Sequence, residues 1–75
     1  MKKLKILIID SSPIINIGFK SIFKNSVIFE VAAFTDNKNE IYDIVNQLNI
    51  DLVISEIDFK NGNIKDVLKI FKKNN

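Results

Sequence analysis

Apolar positions along the chain fall into short continuous runs alternating with stripes of helical spacing. Residues 5–9 hold the run Ile6-Leu7-Ile8-Ile9, ended by Asp10-Ser11-Ser12-Pro13. A continuous run of this length predicts a strand buried on both faces, as in a parallel sheet. Ser12 before Pro13 signals a helix start, with a hydroxyl to cap free N–H groups and proline at the first helical position. Ile14, Ile15, Phe19, Ile22 and Phe23 then form a helical stripe ending near Lys24-Asn25. Lys20 and Lys24 in its last turns suit the negative end of the helix dipole.

Residues 27–34, rich in β-branched and aromatic side chains, predict a second strand, and the polar stretch 35–39 turns the chain. Ile41, Ile44, Val45 and Leu48 follow at the spacing of one buried helix face, with Asn49 as the stop. Residues 51–55 hold Leu52-Val53-Ile54, a third short buried strand. After a loop over 56–63, Ile64, Val67, Leu68 and Phe71 repeat the helical spacing, and Lys69, Lys72 and Lys73 finish that helix. The order β-α-β-α-β-α over residues 1–75 predicts one α/β domain with a parallel sheet and right-handed crossovers.

Composition narrows the chemistry. With no cysteine or histidine there are no disulfides, no Cys/His metal clusters and no nucleophile–His–acid triad. Apolar runs of four residues are too short to span a membrane, and Asp10 interrupts the basic N-terminus too early for a signal-peptide core. These features predict a cytoplasmic chain. Eleven Lys against nine Asp and Glu leave +2. The charges are mixed and Arg is absent, which argues against direct nucleic-acid binding. Fifteen Ile, eleven Lys and ten Asn point to a genome of low G+C content. Only Gly18 and Gly62 are glycines, so neither a dinucleotide-binding turn nor a Walker A loop can be built.

In open α/β sheets, ligands bind beyond the carboxyl ends of the strands, where strand order reverses. Asp10 and Ser11, Phe34 and Thr35, and Ser55 and Glu56 occupy those ends. With strand order 2-1-3, Asp10 and Glu56 end neighbouring strands and could hold a divalent cation through oxygen ligands. The alternative is that polar residues simply end strands.

The stretch Lys5-Ile6-Leu7-Ile8-Ile9-Asp10-Ser11-Ser12-Pro13, with Gly18 five residues further on, resembles the start of bacterial response-regulator receiver domains. The branch most similar carries a LuxR-type helix-turn-helix output. Asp51-Leu52-Val53-Ile54-Ser55-Glu56-Ile57-Asp58 resembles the strand that bears the phosphoacceptor aspartate. The resemblance implies a flavodoxin-like (CheY-like) fold, of which this chain would hold three of the five βα units. It places Asp10 on the first of the family's two metal-binding acids, Ser11 on the second, and Glu56 on the phosphoacceptor. Lys60 stands where the family usually has proline, and Gly62 lies two positions before the usual loop glycine. Without the second acid and the later catalytic Lys, the apparatus for phosphoryl transfer is incomplete. Glu56 also sets the would-be nucleophile about one bond length too far out, where ~1 Å can cost 10²-fold. The expectation is a degenerate, non-phosphorylatable receiver without catalytic activity. Glu56 is then a leftover strand-end acid or, with switch residues of later strands, a partial mimic of the phosphorylated state.

Three units would leave Leu52, Val53 and Ile54 as an exposed apolar edge, predicting association with protein. A homodimer joined antiparallel through strand three is the simplest solution, with another receiver or a histidine kinase as further partners. Two alternatives remain: an inactive N-terminal fragment of a LuxR-type transcriptional regulator, and a small Mg²⁺-dependent phosphotransfer or hydrolytic domain using Asp10 and Glu56.

Overall fold

The computed structural model describes residues 2–74, with the side chains of Lys73 and Asn74 outside that description. Its elements run β1 (Leu4–Ile9), α1 (Pro13–Phe23), β2 (Phe29–Thr35), α2 (Lys38–Leu48), β3 (Leu52–Ser55), β4 (Asp58–Phe59), β5 (Gly62–Asn63) and α3 (Ile64–Asn74). β1, β2 and β3 form a parallel sheet, as the alternation of apolar runs and stripes predicts, and its order is the expected β2-β1-β3. Ile6, Leu7, Ile8 and Ile9 are at most 1% exposed, because the central strand is covered on both faces. Reversal of direction after β2 sends the second crossover back over β1. Right-handed connections therefore put α1 on one face and α2 on the other.

The α2 face is closed. Leu7 and Ile9 from β1 meet Ile41 and Val45 from α2, Ile50, Phe59 and Val67. Asn37 caps α2, its side chain accepting from Asn39 N, and Asn49 ends it in the left-handed conformation at φ 52°. An αL residue stops a helix by turning its last carbonyls onto new donors, and Asn tolerates that region better than most residues.

Several expectations need correction. The second strand starts at Phe29 rather than 27, because the Ser26 hydroxyl accepts from the backbone N–H groups of Ile28 and Phe29 and holds a turn there. Ser12 occupies the N-cap of α1, yet its side chain makes no capping bond; Asp10 Oδ1 takes the Ser12 N–H instead. The stripe Ile14, Ile15 and Ile22 is exposed, and no residue of α1 is buried. β3 is not buried on both faces: Leu52 is exposed, and Val53 and Ile54 are half-buried.

The loop after β3 contains the β4–β5 hairpin, which drives Phe59 into the core. Asn61 ties the hairpin to the start of α2: its Oδ1 accepts from Lys38 N, and its Nδ2 donates to Asn37 Oδ1. Gly62 is required by packing, since a Cβ there would lie 2.9 Å from both Phe59 Cε2 and Asp66 Oδ2. That Asp66 oxygen is already held by the Asn63 N–H at 2.9 Å, so it cannot retreat freely.

Candidate functional site

The strand order brings the carboxyl ends of β1 and β3 side by side. Asp10 N donates to Thr35 O at 3.1 Å, and Glu56 N donates to Ile9 O at 2.9 Å, so the chain leaving β1 is bonded to both neighbours. Asp10 and Glu56 thus lie at one end of the sheet, where the sequence places them. They serve adjacent N–H groups of one turn. Glu56 Oε1 accepts from Ser11 N at 3.0 Å, and Asp10 Oδ1 accepts from Ser12 N at 2.8 Å. Each carboxylate satisfies a backbone donor in the turn that leads into α1, whose first N–H groups have no intrahelical partner. The Ser55 hydroxyl donates to the Glu56 carbonyl at 2.7 Å.

A Mg²⁺ ion takes near-octahedral oxygen ligands and is held through one or two carboxylates together with waters. Asp10 and Glu56 each give one carboxylate oxygen to a backbone N–H. Among the described residues, no group of three His, Cys, Asp or Glu converges.

The apolar residues expected at strand three line a second feature. A groove of about 420 Å³ runs between β3 and α3, lined by Leu52, Val53, Ile64, Val67, Leu68 and Phe71, with Asp51 and Ser55 at its strand side. Ile54 belongs to the same strand but lies outside this lining. Asp51 Oδ2 accepts from Lys5 N at 2.8 Å, which fixes the start of β3 against β1. Sequence reasoning singled out the strand from Asp51 and the α3 stripe with Leu68, but gave Lys65 no role. The signal was available, since Lys65 and Leu68 are three apart on one helix and fall on one side of it. A second apolar groove, about 320 Å³, lies on the outer face of α1 between Ile14, Ile15, Gly18, Phe19 and Ile22.

Among the described residues no helix is long and apolar enough to cross a membrane. Comparison with known proteins gives no match to a family model, a curated protein or a solved structure.

Proposed function

We propose that the chain is a receiver-like, flavodoxin-type module that binds protein through the open edge of its sheet and does not accept phosphate. The observation that carries this reading is the open β3 edge, with Leu52 exposed beside an apolar groove. Phosphoryl transfer needs a metal ion and cations neutralising the transferred group, and Ser11 stands beside Asp10 where the resemblance has a second metal-binding acid. Asp10 and Glu56 each give one oxygen to a backbone N–H of the β1–α1 turn. The exposed Leu52 and the groove beside β3 supply the binding surface, and strand addition to a sheet edge is a general mode of protein recognition. The setting is bacterial two-component signalling in the cytoplasm, with a second copy, another receiver or a histidine kinase as partner.

Treatment with a small phosphodonor and Mg²⁺, followed by intact-mass measurement, tests the reading. The mass stays unchanged; stoichiometric phosphate on Glu56 refutes it.

A further inference from the structure

The sheet has two outer strands, and they differ. β2 carries an exposed Glu30, and its register with β1 passes from Val31 to Ala33, leaving Ala32 as a bulge. A charge and a bulge both discourage pairing with another chain. β3 has neither: Leu52-Val53-Ile54-Ser55 is uncharged and in regular register with β1. Charge sits instead at the start of β3, where Asp51 lines the adjoining groove, and beside that groove's lining residue Ile64, at Lys65. Lys65 lies in the first turn of α3 near the strand's other end, because Ile64 N donates to Ile57 O at 2.8 Å, just beyond β3. Both side chains are exposed, and among the described residues neither forms a salt bridge. An edge with an acid at the start of its strand and a cation on the adjacent helix near the strand's other end is complementary to itself under a two-fold axis.

We propose that the occupant of this edge is a second copy of the chain, its β3 docked antiparallel with Val53 opposite the partner subunit's Val53. The inference rests on the reading of β3 as a binding edge and names what binds there. A shift of one residue, with Val53 opposite the partner's Ile54, flips the side chains of β3 relative to the partner's face and sets Asp51 against the partner's Glu56, like charges that destabilise. In the proposed register Asp51 faces the partner's Ser55, and Leu52 faces the partner's Ile54. Asp51, Val53 and Ser55 share the face covered by α3. An axis perpendicular to the sheet keeps both copies of α3 on that face. Each Asp51 then meets the partner's Lys65, and Leu68, 62% exposed in the single chain, fills the channel between the two helices.

The chain has no cysteine, so an introduced one stands alone. Residues opposite one another in an antiparallel pair have Cα atoms about 4.5–5.5 Å apart, within disulfide reach, whereas diagonal neighbours at about 7–8 Å are not. On mild oxidation Val53→Cys forms a covalent dimer, and Leu52→Cys or Ile54→Cys alone does not. Leu52→Cys mixed with Ile54→Cys forms a mixed dimer. By light scattering the unmodified chain is a dimer, and Lys65→Glu raises its dissociation constant about fivefold, an effect that shrinks in high salt. Circular dichroism confirms that each variant is folded. A chain that stays monomeric without a Val53→Cys cross-link overturns the inference, as does cross-linking of Ile54→Cys or Leu52→Cys alone. Phosphate on Glu56 refutes the functional reading instead, whatever the cross-linking shows.

Discussion

Beneath α2 and α3, seven residues from five segments close into a core, whereas on the other side of the sheet α1 buries no residue of its own. Both helices next to β1 begin from the same kind of sequence, an aliphatic stripe after a polar turn. Their neighbours make the difference. α2 meets α3 and the hairpin that delivers Phe59, so Ile41 is 0% exposed. α1 has β2 beside it, where Phe23 meets Phe29 at 5.6 Å, and its outer Ile14, Ile17 and Ile22 remain 65–76% exposed. An apolar stripe therefore reports what a helix can bury, and the surrounding elements decide what it does bury.

Truncation on the two faces gives the largest contrast. Ile41→Ala removes a fully buried side chain and costs about 2–5 kcal/mol in urea unfolding, enough to unfold much of a marginal domain. Ile17→Ala, 65% exposed, costs less than about 0.5 kcal/mol. Equal losses at the two positions would show that the α1 face is closed after all.

The two glycines sharpen the same contrast with opposite signs. Gly62→Ala places a methyl against Phe59 and the anchored Asp66, and destabilises by about 1–3 kcal/mol through overpacking. Gly18 sits mid-helix, and a Cβ there meets nothing within 4 Å. Gly18→Ala accordingly stabilises by up to about 1 kcal/mol, through helix propensity and a less flexible unfolded chain. Thermal melts of both variants check the pair; a lower midpoint for Gly18→Ala contradicts the open groove on α1.

Much of the fold is legible in the sequence where local signals are strong. The run Ile6–Ile9 marks the central strand, Ile41 and Val45 mark the buried side of α2, and Asn49 marks its end. The β4–β5 hairpin is not legible, because strands of two residues carry no periodicity. Phe59 looks like a loop residue until Asn61 and Gly62 dock the hairpin on α2. The early start expected for β2 fails because Ser26 competes for two backbone donors, a side-chain effect that β-propensity ignores. At the candidate site the residues are legible and their use is not. Asp10 and Glu56 lie at one end of the sheet as strand order predicts, but only the structure shows that each gives one oxygen to an N–H of the β1–α1 turn.

The central claim is that one face of this sheet is finished within the chain while the β3 edge is completed by a second copy. Hydrogen exchange at the backbone amides of residues 52–55, followed as protein concentration rises, addresses it most directly. The account predicts slowing at the alternate amides that point away from β1 as dimers form, with the amides of the β2 edge unchanged. Exchange at those outward-pointing amides of residues 52–55 that is fast and independent of concentration would contradict it.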